Sequence, residues 1–274
     1  MDPQKQDGLV TDQLQVIKKS KKIAGVGVPD ETLRDIISNE IRRYPSLKDV
    51  QKSVRHKIHN MVAPYLGDPD YPAAMKELER ISSAGSSQDI LNFCTSILNS
   101  HASSRERLPV MQDFYRSLFS HTGNPPVVLD LACGLNPFAL PWMGLAPTTR
   151  YYAYDIHRPR VDLINLFFQK WGFEPLAEVR DILVDPPTIK ADVAFLFKEA
   201  HRLEQRRKGC NRPLWRQLDV RFLLVSLPAN SLSGHHDLME RQRHLVASTI
   251  GSEPWSVVEM CFGNEMVFCI DKKT

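Results

Sequence analysis

Several signatures of common chemistries are missing from this chain. It holds no GxSxG elbow, no HExxH pair and no GKS or GKT loop, so serine-hydrolase, zinc-protease and phosphate-loop chemistry find no support. Its cysteines, at 94, 133, 210, 261 and 269, form no CxxC pair. An odd, scattered set points to reduced thiols in a cytoplasmic protein and to neither a disulfide framework nor a zinc site. His56, His59, His101 and His121 are too irregularly spaced for a metal motif, and His235-His236 read as polar loop surface. No run approaches 18 apolar residues, and MDPQKQDGLV has no apolar signal core; neither membrane spanning nor secretion is expected. A large excess of either charge is missing as well. With 35 Lys and Arg against 32 Asp and Glu, the net charge is +3, so a nucleic-acid surface can exist only as a local patch.

What the chain does have is concentrated at 126–142, PVVLDLACGLNPFALPW. Val127, Val128 and Leu129 form a short apolar run typical of a buried parallel strand. Asn136 is a favoured N-cap and Pro137 a favoured first helical residue, so a helix is expected to start there. Strand, tight turn and helix make the first unit of a doubly wound fold, whose ligands sit outside the carboxyl ends of the strands. Ala132 and Gly134 let the backbone approach such a ligand closely. The turn is not the GxGxxG that cradles a pyrophosphate, which favours a ligand without phosphates such as S-adenosylmethionine. The next strand, RYYAYDI, reaches Asp155 about 20 residues on, where such folds place the carboxylate for ribose hydroxyls.

Further strands are expected at 177–183, with Asp181 near its end, at 193–197 and at 221–228. Two last runs, 255–262 and 265–271, flank Gly263-Asn264 and read as an antiparallel hairpin. The fold class is therefore α/β, a seven-stranded Rossmann-like sheet of the class I S-adenosylmethionine-dependent methyltransferase type with a terminal antiparallel hairpin.

Ahead of this sheet, residues 9–66 read as short helices with basic faces. Leu14 and Ile17 lead into KKSKK; Asp30 is expected to cap a helix through Leu33, Ile36 and Ile37; Pro45-Ser46 opens another through Val50, Val54 and Ile58. Lys18, Lys19, Lys21, Lys22, Arg42, Arg43, Lys52 and Arg55 are either a solvated face or a phosphate-binding surface for RNA, and the residues alone leave both open. A Pro- and Gly-rich connection at 67–75 divides a helical extension, 1–75, from a second domain, 76–274. Residues 74–119 look helical with a break at 82–89, the second helix carrying HASSRER. Its Arg107 is either an exposed helix end or a planar partner for a ligand carboxylate.

Taken in order, HASSRER, LDLACGLNPFALPWMGL, YYAYDI, VRDIL, FLFKEAHRLEQ and NEMVFCI resemble the aminoglycoside-resistance 16S rRNA methyltransferases, which methylate N7 of guanine 1405 in the 30S decoding site. The resemblance implies S-adenosylmethionine as cofactor, the 30S subunit as partner and a monomeric enzyme. It implies Tyr65 as the aromatic near the cofactor, and His101, Ser103, Ser104 and Arg107 as the segment closing over the methionine moiety, Arg107 on its carboxylate. Ala132 and Gly134 then form the cofactor loop, Asp155 holds the ribose, Asp181 and Ile182 meet the adenine, and Phe197 lines the cleft. Lys198 and Met239 position the target base, and the basic extension, with Arg241, contacts RNA. Two departures stand out. EAHRLEQRRKG replaces a TLP-like segment, with Arg206 at a glutamine position, and the loop NSLSGHHD lacks the usual Lys and Arg, leaving Arg241 and Arg243 as substitutes. A weakly active or non-catalytic ribosome-binding homologue, or a methyltransferase for another rRNA site, are the alternatives these departures leave open.

Overall fold

The computed structural model describes residues 3–19, 27–62, 68–81, 87–230 and 238–273. Lys21, Lys22, Tyr65 and His235-His236, all considered above, lie outside them. The chain opens with α1 (Pro3–Lys18), α2 (Asp30–Arg43) and α3 (Leu47–Val62). Val10, Leu14, Ile17, Leu33, Ile36, Ile37, Val50, Val54 and Ile58 meet in a core belonging to these helices alone. The helical spacing of apolar residues is thus spent on packing the three against one another. Asp30 does not cap α2. Pro29 holds that position, and the Asp30 carboxylate in the first turn takes Lys18 Nζ at 2.8 Å, a favourable place for a negative charge.

Next come α4 (Tyr71–Arg80), α5 (Ser87–Ser100) and α6 (Met111–Thr122). Asp70 caps α4 by accepting from Ala73 N at 3.0 Å. Tyr71 and Ala74 join the core of the sheet domain, so residues 71–75 pack with that domain and not with the extension. HASSRER does not continue α5. His101 is extended, with φ −111° and ψ 133°, and Ala102–Arg105 forms a separate turn. Ser104 Oγ donates to the carbonyls of Leu98, at 2.7 Å, and His101, a side-chain bond that competes with the helical ladder and folds the segment back.

The sheet comprises β1 (Val127–Leu131), β2 (Arg150–Asp155), β3 (Ala177–Val179), β4 (Ala191–Phe197), β5 (Val220–Pro228), β6 (Ser256–Phe262) and β7 (Glu265–Asp271). Their order is β3-β2-β1-β4-β5-β7-β6; the first five are parallel and β7 runs antiparallel between β5 and β6. Connecting helices are α7 (Arg158–Trp171), α8 (Ala200–Arg206), α9 (Asn211–Gln217) and α10 (Met239–Ile250). Alternate strand residues serve opposite faces: Val128, Tyr151 and Phe195 pack under α4–α7, while Leu129, Tyr152 and Leu196 pack under α8–α10. Sheet residues buried on both faces explain the unbroken apolar runs.

Two elements are shorter than their sequence suggests. β3 stops at Val179, because the Asp181 side chain turns back on Leu183 N at 3.0 Å. After β1, a 3-10 turn at Asn136–Ala139 and a single helical turn at Leu140–Met143 replace a full helix. Gly144, at φ +64°, ends that turn. Strand order reverses between β1 and β4, which is where a ligand cleft opens in such sheets.

Candidate active-site cleft

A cleft of about 880 Å³ opens at that switch point, walled by the carboxyl ends of β1, β2 and β4, the 101–107 segment, α8 and part of α3. Among the described residues, Ala132 at φ +50° and Lys198 at φ +56° are the two non-glycine residues with left-handed backbone. They follow β1 and β4, adjacent strands, and both face the cleft. Strained backbone at this point is held by the surrounding sheet, as at many ligand sites.

One buried network forms the floor. Arg107 Nη2 lies 2.5 Å from Glu265 Oε1, and Nε donates to Oε2 at 3.1 Å. Nη1 donates to Asn136 Oδ1 at 2.7 Å, which also accepts from Tyr115 OH at 2.6 Å. The Asn136 amide donates to Asp130 Oδ2, as does Tyr151 OH. Asn136 is therefore a buried hub, not a helix cap. The Arg107 guanidinium lies over the rings of Phe114 and Phe197, at 4.3 and 4.8 Å, so its position is fixed. Burial alone would raise the Glu265 pKa, but Arg107 and then Lys198 outweigh it and hold the carboxyl below its ordinary value. Lys198 Nζ sits 2.9 Å from Glu106 and 3.6 Å from Glu265. In Asp130, burial dominates and pushes the carboxyl up to about 7.

Asp155, at the end of β2, is buried and paired with Arg160 at 2.8 Å. Its Oδ2 also accepts from Gly134 N and its Oδ1 from His157 N. A carboxylate has roughly four acceptor positions, so one on Oδ1 stays open. Asp181 is different: Thr32 Oγ1, both terminal nitrogens of Arg206 and Leu183 N surround its two oxygens at 2.7 to 3.0 Å. Arg206 thus faces Asp181 and, through Nη2 at 2.9 Å, Asp35 of α2. Among the remaining wall residues, burial pushes Glu199 up to about 7 and His201 down to about 4, so the histidine is neutral.

The expected residues largely converge. His101, Ser103, Ser104, Arg107, Ala132, Gly134, Asp155, Asp181, Ile182, Phe197, Lys198, Arg206 and Arg241 all line the cleft. Met239 begins α10 and is half-buried against the second core. Lys19, Arg42, Arg43, Lys52 and Arg55 are exposed on the extension, whereas Lys18 is engaged by Asp30. Arg243 is clamped by Glu240 and by both oxygens of Glu259, so it does not substitute for a missing loop cation. Sequence reasoning did not single out Glu265, Glu106 and Arg160, and it read Asn136 only as a helix cap. Glu265 and Glu106 stand inside the strings NEMVFCI and HASSRER, so the signal was present there without a partner to read it against.

The residues present fit a nucleoside with an amino-acid arm. Arg107 lines the cleft, where a planar guanidinium suits a ligand carboxylate. Asp155 retains an acceptor position for a ribose hydroxyl, and nothing in the Ala132–Gly134 turn forms a phosphate cradle. The sheet order and this cleft define an S-adenosylmethionine-dependent methyltransferase. Comparison with known proteins narrows the class. A family model described as "Ribosomal RNA methyltransferase (FmrO)" matches residues 19–269, and the chain belongs to that family. It is 28% identical to the 16S rRNA (guanine(1405)-N(7))-methyltransferase of Micromonospora rosea, over 95% of this chain and 96% of that one. With the Serratia marcescens protein of the same name it shares 32%, over 84% and 85%. The 16S rRNA methyltransferase RmtF, solved with S-adenosyl-L-homocysteine, superposes with a TM-score of 0.77 at 29% identity, covering 96% and 97% of the two chains.

Proposed function

We propose that this chain methylates N7 of guanine 1405 in 16S rRNA of the assembled 30S subunit, and that the product protects the decoding site from aminoglycosides. The observation carrying this reading is the buried Arg107–Glu265–Lys198 network. One buried carboxylate fixes both the guanidinium aimed at the cofactor's amino-acid end and the lysine at the open end of β4. Relatives matched along nearly the whole chain bear that activity in their names.

S-adenosylmethionine supplies an electrophilic methyl on a sulfonium. Guanine N7 offers a lone pair and loses no proton on methylation, so no residue here has to act as a base. The protein's part is placement, with the reacting atoms held at near-attack distance. Arg107 would hold the carboxylate of the cofactor's amino-acid arm, Asp155 its ribose hydroxyls and Ile182 its base, with Phe197 and Ala132 lining the cleft between them. Lys198 borders the side from which a flipped base would enter, while Met239, packed on the second core, is not among the residues lining the cleft; flipping costs roughly a few kcal/mol. The exposed Arg42, Arg43, Lys52 and Arg55 supply phosphate contacts that offset it. Arg206 turns inward to Asp181 and Asp35, so its departure from the family's glutamine changes the cleft wall and not the target-base side. That favours an active enzyme over a ribosome-binding relic. Expression in an aminoglycoside-sensitive bacterium tests the reading: growth at raised drug concentration is expected, and sensitivity unchanged despite soluble protein overturns it.

A further inference from the structure

Asp181 stands where an adenine amino group would be met, yet this chain already surrounds its oxygens. Thr32 Oγ1 donates to Oδ2 at 2.7 Å, Arg206 lies at 2.7 Å from Oδ2 and donates to Oδ1 at 2.9 Å, and Leu183 N donates to Oδ1 at 3.0 Å. With roughly four acceptor positions used, the carboxylate is better suited to hold the loop after β3 than to greet a ligand. That loop carries Ile182 into the cleft. Thr32 comes from α2, 149 residues away in sequence. From the same helix, Asp35 takes Arg206 Nη2 at 2.9 Å and Arg207 Nη1 at 3.2 Å. Lys57 of α3 donates to the Arg206 carbonyl and lies 2.7 Å from Glu40. Thr32 is fully buried, and the Arg206 and Asp35 side chains are only 10% and 17% exposed.

We propose that Thr32 and Asp35 are positioning residues of the cofactor cleft: the helical extension completes the adenine end of the site, through Asp181 and Arg206, as well as contacting rRNA. This rests on the cofactor reading above. The physical ground is that losing the Thr32 hydroxyl leaves one acceptor position of the buried Asp181 carboxylate unfilled, which is costly enough to shift the side chain toward its remaining partners. Here the group that shifts is the one bracing Ile182. Anything that moves α2 on rRNA therefore reaches the cofactor, and the two sites share one rigid link.

The test measures S-adenosyl-L-homocysteine binding by calorimetry on the full chain, with Thr32→Val, Thr32→Ser and Asp35→Asn. Thr32→Val is expected to weaken binding about tenfold, or about 1.4 kcal/mol, and to raise the cofactor KM with kcat at saturation retained. Thr32→Ser, which keeps the hydroxyl, is expected to match wild type. A lowered melting temperature with unchanged affinity in Thr32→Val overturns the proposal by showing a merely structural role. Should that variant fail to fold, Asp35→Asn decides: severalfold weaker binding supports the link, and wild-type binding overturns it. A wild-type chain that does not bind S-adenosyl-L-homocysteine overturns the cofactor reading itself and this inference with it.

Discussion

Arg107 and Glu265 stand 158 residues apart in the chain and meet as a buried two-point pair, Nη2 to Oε1 at 2.5 Å and Nε to Oε2 at 3.1 Å. The pair uses Nε and Nη2, while Nη1 turns to Asn136 Oδ1 at 2.7 Å. It joins the turn before α6 to the start of β7, so the fold and the site depend on the same contact. Truncating one partner of a buried ion pair typically costs about 3–5 kcal/mol. Glu265→Ala is expected to lower stability by that order in denaturant unfolding. Glu265→Gln, which keeps an acceptor for Arg107, is expected to lose clearly less.

Arg107→Ala and Asp155→Ala are each expected to abolish detectable S-adenosyl-L-homocysteine binding in calorimetry. Circular dichroism identifies any variant that has merely unfolded. A folded Arg107→Ala chain with wild-type affinity would show that the cofactor carboxylate is held elsewhere.

Ala132 bears a side chain at φ +50°, a region that costs an L-residue roughly 1–2 kcal/mol. Ala132→Gly is expected to raise stability by up to about 1 kcal/mol, since glycine's greater unfolded-state freedom offsets part of the relief. Ala132→Val, branched at the same backbone, is expected to destabilise and to weaken cofactor binding. Thermal melts with and without S-adenosyl-L-homocysteine separate the two effects.

Two buried carboxyls set opposite limbs of the pH profile. Asp130 is raised to about 7 by burial, so the folded state holds a proton that the unfolded chain has lost. Stability from this group is full below the unfolded value and declines as pH rises through about 7. Asp130→Asn, keeping the acceptor for Asn136 and Tyr151, is expected to flatten that limb. Asp181 is lowered, with Arg206 outweighing its burial. Its contribution is present above the unfolded value and is lost as pH falls through the folded one. Asp181→Asn is expected to remove part of the acid limb. Chemical unfolding across pH 2 to 9 reads both.

Much of this was legible locally. Residues 128–129, 193–196 and 222–227 are buried on both faces, and such burial leaves unbroken apolar runs in the sequence. Gly263 and Asn264 mark their hairpin because a tight turn demands φ +55°. The basic extension and its three apolar stripes follow from helical spacing in the same way. What periodicity cannot carry is the pairing of buried polar groups. Asn136 has the chemistry of a cap and serves instead as the hub between Arg107, Tyr115 and Asp130, because the sheet brings those partners to it. Asp181 has the position of an adenine acceptor but is filled by Thr32 and Arg206, which only the packing of the extension on α8 reveals. Lys18 and Arg243 looked available for phosphate until Asp30 and Glu259 were placed beside them.

Reversing charge on the extension separates docking from cofactor binding. Lys52→Glu with Arg55→Glu, both on the exposed side of α3, is expected to weaken 30S binding. The slope of log affinity against log salt should also fall, as lost phosphate contacts require. Affinity for S-adenosyl-L-homocysteine is expected to stay at the wild-type value, because neither residue reaches the cleft.

The most direct measurement is methyl transfer from labelled S-adenosylmethionine to intact 30S subunits, with naked 16S rRNA alongside and cleavage at N7-methylguanine to map the product. Label is expected at guanine 1405 in the assembled subunit and little in the naked RNA. Label at another base, or none from a chain that binds the cofactor, would contradict that expectation.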